Sequence, residues 1–156
     1  MELESIWRLL HHFFTFAFVG TLVVAEWNGR AARTTSDWGQ RALLFQTIHL
    51  STRVSGLGSL VLLGVFGHLL AVATGHRMGT DPWLRWVTGI WMAAIAVMAF
   101  FVLPAAARLA AITGAAAAGG EPKGYDGARS RWRLGNVVLT FLYLTLLALM
   151  VFRGPA

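Results

Sequence analysis

An uninterrupted apolar stretch at residues 54–74 places the strongest constraint on how this chain can fold. The stretch contains no Asp, Glu, Lys or Arg, and His68 is its only ionisable residue. At a rise of about 1.5 Å per residue, a helix of this length covers roughly 30 Å, which is the hydrocarbon thickness of a bilayer. The stretch therefore predicts a membrane-spanning helix, and an ionisable residue inside such a helix is a candidate functional residue.

Three further apolar segments extend this prediction to the whole chain. We expect an all-α, polytopic membrane protein, an antiparallel bundle of four transmembrane helices forming a single domain over residues 1–156. The spans are placed at about residues 6–27, 54–74, 83–103 and 134–152, with a helical extension from residue 41 leading into the second span. Segment 28–40, which contains Asn28-Gly29, and the Ala- and Gly-rich segment 105–133 are predicted to be loops, the second of them mobile.

Composition excludes several classes of function. With 56% hydrophobic and 13% charged residues, the chain is too apolar for an ordinary soluble domain. Its net charge of +6 resides mainly in arginines between the apolar segments, where they contact anionic lipid, so the lipid bilayer and not nucleic acid is the expected partner. The absence of cysteine excludes disulfides and thiolate metal sites, and no paired carboxylates lie within the spans for acid–base chemistry or ion transport.

The distribution of positive residues predicts the orientation in the membrane. Eight Lys and Arg residues lie in the loops after spans one and three, against four on the opposite side. Because positive residues favour the cytoplasmic side, both termini are expected outside the cytoplasm, in the periplasm or the extracellular space.

Three histidines are expected to meet at one level of the bundle. Because a short loop joins spans one and two, the spans are antiparallel, and His11 and His12 lie roughly 8 Å and His68 roughly 6 Å from the midplane on the same side. Imidazoles from facing helices can ligate a haem iron. The sequence thus predicts haem b, with His68 and either His11 or His12 as iron ligands. Gly64 is expected to leave room for the macrocycle, and four residues should reach the same layer: Thr88, Trp91, Met92 and Met150.

Other interpretations of these residues stay open. Hydrogen-bonded interfacial histidines and helix-packing glycines would suit a non-catalytic membrane subunit or scaffold that packs against partner helices or a second copy of the chain. Zinc or copper at the same histidines would suit a metal-handling protein, a third choice that the lack of Cys and of Met-x-x-Met disfavours. His49, together with nearby Arg53, is interpreted as a contact to a haem propionate or a lipid, or as a solvated surface residue. His76 is interpreted as a ligand of a second metal, as a quinone contact, or as an ordinary loop residue.

Short motifs in all four spans resemble the HemJ and CopD-like group of small bacterial integral membrane proteins, most of all its uncharacterised members. The similar segments are Arg8-Leu9-Leu10-His11 with Gly20, Ala73-Thr74-Gly75, Pro82-Trp83-Leu84, Leu103-Pro104 with Arg108-Leu109, and residues 147–151. The resemblance implies a bacterial cytoplasmic (inner) membrane location, haem binding through His11, and a quinone or porphyrin partner. HemJ proteins oxidise protoporphyrinogen IX to protoporphyrin IX, but Val87 stands where they carry a lysine, so the resemblance supports the haem-linked histidine more than that enzymatic activity.

Overall fold

Four long helices make up the protein. The computed structural model describes residues 3–77 and 79–152, and in these residues it contains helices and short connections but no strand. The helices are α1 (Leu3–Thr34), α2 (Trp38–Ala73), α3 (Pro82–Ala117) and α4 (Tyr125–Phe152), each long and apolar enough to cross a bilayer. The predicted fold class is confirmed: this is an all-α membrane protein built as a four-helix bundle.

The bundle has two distinct ends. The terminal end carries the start of α1, the connection between α2 and α3, and the end of α4, whereas the loop end carries the connections 35–37 and 118–124. Since α2 and α3 each comprise 36 residues, they are about 54 Å long, well over the roughly 30 Å of a hydrocarbon layer. The helices therefore continue beyond the predicted spans into the head-group region.

The predicted loop at 28–40 is mostly helical. Helix α1 continues to Thr34, and α2 begins at Trp38 after Asp37, whose side chain accepts a hydrogen bond of 2.9 Å from the backbone N–H of Gly39. Asn28-Gly29 is not a turn, because Gly29 serves packing: a Cβ there would lie 2.5 Å from Cη2 of Trp132. Tertiary contact with α4 thus overrides the local turn signal.

The predicted mobile loop at 105–133 is also wrong. Helix α3 continues past Pro104 to Ala117, and α4 begins at Tyr125. Just before Pro104, residues Met98–Val102 form a π-helical turn, and Arg131 Nη2 contacts the Phe100 carbonyl oxygen at 3.5 Å. The local change of helical register allows the chain to continue through a proline that would ordinarily end the helix. The buried alanines Ala105, Ala106 and Ala116 of this segment belong to a packed helix face.

Side-chain size decides where the helices are close. At the loop end, small buried residues of α3 such as Ala105 and Ala106 let α2 pack tightly against it. Towards the terminal end α2 and α3 diverge, and large side chains such as Trp91 lie between them. Helices α1 and α4 meet through Phe18 and Tyr143, whose rings are 5.4 Å apart. The bundle is therefore closed at the loop end and open at the terminal end.

A second π-helical turn lies in α2 beside that of α3. It spans Thr52–Gly56, and a Cβ at Gly56 would lie 2.9 Å from Cγ2 of Thr21 and 3.2 Å from Cε of Met98. The two turns thus pack against each other and against α1 near the middle of the bundle. A π-helical turn adds one residue to a helical turn and rotates the rest of the helix about its axis, so these turns set which residues of α2 and α3 face the open end.

Candidate functional site

A cavity of about 710 Å³ occupies the open terminal end of the bundle. Proteins use cavities of about 300–1,000 Å³ for cofactors and other small ligands. All four helices contribute to its largely apolar walls. Its ionisable or hydroxyl-bearing lining residues are Glu4, Arg8, His11, His12, Thr15, His68, Thr74, His76 and Tyr143.

His11 presents one ring nitrogen for binding. Its Nδ1 lies 2.8 Å from the carbonyl oxygen of Leu63, and because a carbonyl oxygen only accepts hydrogen bonds, Nδ1 carries the hydrogen. Nε2 then carries the lone pair, and it has no protein partner within the described ranges. Gly67 makes the contact possible, since a Cβ there would lie 3.0 Å from the His11 ring. This arrangement of a ring N–H on a backbone carbonyl is the usual support of a metal-ligating histidine.

His68 has both ring nitrogens engaged. Its Nδ1 donates to the Gly64 carbonyl oxygen at 2.7 Å, and its Nε2 lies 2.7 Å from Thr88 Oγ1. The same hydroxyl oxygen lies 2.7 Å from the Leu84 carbonyl oxygen. A hydroxyl has a single hydrogen, so Thr88 donates either to His68 or to Leu84. When it donates to Leu84, its oxygen still lies 2.7 Å from Nε2 of His68, so a ligand atom reaches that lone pair only after the Thr88 side chain rotates away.

The structure brings the predicted histidines together. Leu63 and Gly64, which hold His11 and His68, are consecutive residues, so both imidazoles are held at one level of α2. The ring of His12 lies 5.8 Å from that of His11, but His12 is exposed and its Nδ1 donates to the Arg8 carbonyl oxygen at 2.6 Å. Of the two neighbours in α1, His11 is the one held inside the bundle.

Gly64 does not leave a slot for a macrocycle, contrary to the prediction. A Cβ at Gly64 would lie 2.0 Å from Cε2 and 2.3 Å from Nε1 of Trp91. The indole fills the notch, and its Nε1 donates to the Leu60 carbonyl oxygen at 2.8 Å. Trp91 also lies against His68, with ring centroids 5.4 Å apart. Gly64 therefore positions Trp91, and the open volume lies next to this pair.

The remaining predicted residues are divided between the cavity and other surroundings. Met150 lines the cavity, whereas Met92 is 53% exposed on the outside of α3. His49 is remote from the cavity lining, and its Nδ1 is buried without a partner in residues 3–77 and 79–152. His76 lies at the rim, where its Nδ1 is 3.0 Å from Asp81 Oδ2.

Three features of the site were missed from the sequence. Tyr143 lines the cavity from α4, and Trp83 does so from the start of α3, where its Nε1 donates to the Leu149 carbonyl oxygen at 3.1 Å. At the mouth, Arg8 and Glu4 form an ion pair one helical turn apart. Tyr143 is the only tyrosine within the predicted spans, and this could have marked it as a candidate site residue. The orientations of Trp83, Arg8 and Glu4 were not predictable from residue spacing.

No cluster of three or more His, Cys, Asp or Glu side chains suited to a bare metal ion occurs in the part of the chain that the structure describes. A haem iron is different, because the porphyrin supplies four nitrogens and the protein needs to supply only one or two axial ligands.

The rim provides a test by titration. The backbone N–H of Arg77 and the imidazole of His76 hold the pKa of the Asp81 carboxyl below its ordinary value of 3.8. A lowered carboxyl pKa contributes stability above that ordinary value, and the contribution is lost as the pH falls through the lowered value. We expect His76→Ala to raise the pKa of Asp81, measured by carbon-13 NMR of the carboxyl group, and His49→Ala to leave it unchanged. An unaltered titration of Asp81 in His76→Ala would show that the rim contact is not formed.

Fold and cavity together define the class: a four-helix membrane protein in which histidines from two helices line one cavity. Comparison with protein-family models, with curated proteins and with solved structures finds no match to this chain. The assignment of function therefore depends on the chemistry of the cavity.

Proposed function

We propose that this is an integral membrane haem b-binding redox protein, in which His11 and His68 would hold the haem iron in the terminal-end cavity. The observation that carries the proposal is the state of His11: its Nδ1–H is fixed on Leu63, and the Nε2 lone pair is left at the cavity wall. His68 becomes a second ligand once the Thr88 side chain rotates away from its Nε2. His12, which is exposed, is the weaker choice.

The surroundings suit a large, flat and mostly apolar group. The walls are formed mainly by aliphatic and aromatic side chains, and the charged residues Glu4 and Arg8 lie at the mouth. Arg8 is suited to pairing with a carboxylate at the edge of a bound ligand. Haem supplies one-electron chemistry when it is bound. The contribution of the chain is to hold the ligating nitrogens, to exclude water and to present the site to the membrane.

In this proposal the electron partner is a lipid-soluble molecule, a quinone or a porphyrin. The cavity has largely apolar walls in a protein whose helices are apolar enough to cross a membrane, which suits an apolar molecule that arrives from the lipid. The resemblance to HemJ and CopD-like proteins supports a location in the bacterial cytoplasmic membrane. The distribution of arginines supports an orientation with both termini on the outer side.

The test is an optical spectrum of the protein purified after expression with ample haem. We expect a Soret band, with sharpened bands on reduction by dithionite. His11→Ala should reduce bound haem per chain by more than tenfold, because loss of a supporting contact alone costs about 10–100-fold in metal affinity. His68→Ala should leave some haem bound with an altered reduced spectrum.

The matched control is His49→Ala, which removes a histidine outside the cavity and should leave the haem content unchanged. Each variant is checked for folding by size-exclusion chromatography and helical circular dichroism. A colourless wild-type preparation, or full haem content in a folded His11→Ala protein, contradicts the proposal.

A scaffold role has less support from the geometry. The small residues of α2 that were expected to face partner helices are covered by the chain itself: Gly56 by Thr21 and Met98, Gly64 by Trp91, and Gly67 by His11. Only Gly58 of this group has open space beside it. The glycine face of α2 is thus used inside the bundle, which removes the main argument for a partner subunit or a homo-oligomer on that face.

A further inference from the structure

A second, polar pocket lies at the loop end, on the opposite side of the bundle from the histidines. It has a volume of about 360 Å³ and is formed where α1 ends, where α2 and α4 begin, and where the 118–124 connection passes. Three arginines line it, namely Arg33, Arg41 and Arg129, one from each of three helices. The proposed redox site lies at the other end of the bundle and does not account for three arginines that line one pocket.

Positive charge in this pocket is in excess. Asp126 is the only carboxylate in the lining, against three guanidinium groups. In the described part of the chain, no arginine of the pocket forms an ion pair with Asp126, and Arg33 and Arg129 have no hydrogen-bond partner. Like charges held together without counter-ions repel one another, so such a cluster is stabilised when an anion binds.

Arg41 is held in place before any ligand arrives. Its Nε and Nη2 donate to the Thr35 carbonyl oxygen at 3.0 and 2.6 Å, and its guanidinium lies 4.5 Å above the Trp38 ring and 5.7 Å from the Tyr125 ring. The remaining N–H groups of the guanidinium are left for another acceptor. A fixed arginine fork loses little side-chain entropy on binding and matches the oxygens of a phosphate group.

Two helices also begin at this pocket. Trp38 opens α2 and Tyr125 opens α4, and both residues line the hollow. The positive ends of two helix dipoles thus add to the field of the arginines. Arg33 lies about 9 Å beyond residue 27, the predicted end of the first span, which puts the pocket at the level of lipid head groups.

From these observations we propose that the loop-end pocket binds the phosphate group of a net-anionic ligand. The shared chemistry is a phosphate held by Arg33, Arg41 and Arg129, and it has two sources: the head group of an anionic phospholipid, or a soluble phosphate. Trp38 and Tyr125, aromatic residues with polar edges at head-group depth, suit either source. This site is independent of the proposed haem site.

The experiment measures binding by isothermal titration calorimetry in a zwitterionic detergent. The probes are short-chain phosphatidylglycerol, short-chain phosphatidylcholine and inorganic phosphate. We expect phosphatidylglycerol to bind, and Arg129→Gln or Arg33→Gln to weaken it about fivefold each, the effect of one arginine near an anionic surface. The matched control is Arg133→Gln, which removes an exposed arginine of the same end outside the pocket and should change binding little.

Asp126→Asn provides a test that misfolding cannot mimic. Removing the only carboxylate of the pocket should tighten binding several-fold, because its repulsion of the phosphate is lost. Binding of phosphatidylglycerol but not of inorganic phosphate identifies a lipid head-group site, and comparable binding of inorganic phosphate identifies a soluble ligand. Equal weakening by Arg133→Gln, or no gain from Asp126→Asn, would mean diffuse surface charge and would overturn the proposal.

Discussion

Gly64→Ala is expected to destabilise the bundle by about 1–3 kcal/mol, the usual cost of inserting an atom into a packed interior. The added Cβ would overlap the Trp91 indole, with 2.0 Å to its Cε2 atom. The indole cannot give way easily, since its Nε1 is bonded to the Leu60 carbonyl oxygen and one of its neighbours is His68. The measurement is the thermal unfolding midpoint in detergent.

Gly58→Ala is the matched control for this substitution. Gly58 lies in the same helix, but a Cβ there meets nothing within 4 Å. Alanine is favoured over glycine in a helix by up to about 1 kcal/mol, so this variant should be neutral or slightly more stable. If the two variants unfold at the same temperature, Trp91 does not occupy the notch beside Gly64.

Phe18→Ala is expected to destabilise the bundle by up to about 3 kcal/mol, because it leaves a cavity at a fully buried position. Phe18 has 0% exposure and lies at the centre of the core, where its ring packs against Tyr143 of α4. In a membrane the lost free energy of unfolding comes from close packing and not from transfer out of water, because lipid tails are as apolar as the core. A lower unfolding midpoint and a wider separation of α1 and α4 are the expected signs.

Phe16→Ala tests whether burial is the cause. Phe16 belongs to the same helix but is 71% exposed on the lipid-facing side. Its removal leaves no cavity within the bundle, and the unfolding midpoint should change little. A loss of stability at Phe16 as large as that at Phe18 would contradict the packing of α1 against α4 through Phe18.

The contrast between the two ends of the bundle connects these predictions with function. At the loop end, small residues such as Ala105, Ala106 and Gly29 allow helices to approach closely. At the terminal end, the indole of Trp91 and the imidazole of His68 lie between α2 and α3, whereas α1 packs closely on α2 with the His11 ring against Gly67. The cavity lies at this end because the Trp91 and His68 side chains hold α2 and α3 apart.

The membrane architecture could be predicted from the sequence, and it was confirmed. In lipid, the backbone of an uncharged segment can satisfy its hydrogen bonds only within a helix. The stretch at residues 54–74 therefore predicts both a helical structure and a membrane location. The meeting of His11 and His68 at one level also follows from simple geometry, since a short loop makes consecutive spans antiparallel and the rise per residue is constant.

Only the tertiary structure decided where the helices end and what fills the space between them. Gly29 locally indicates a turn and Gly64 a gap, yet the indoles of Trp132 and Trp91 take up both positions. Pro104 locally indicates a helix end, yet a π-helical turn carries α3 past it. Sequence by itself determined the membrane class, the four helices and the common level of His11 and His68, because these depend on hydrophobicity and helical rise. Contacts between residues far apart in the chain decided the packing, and no local pattern encodes them.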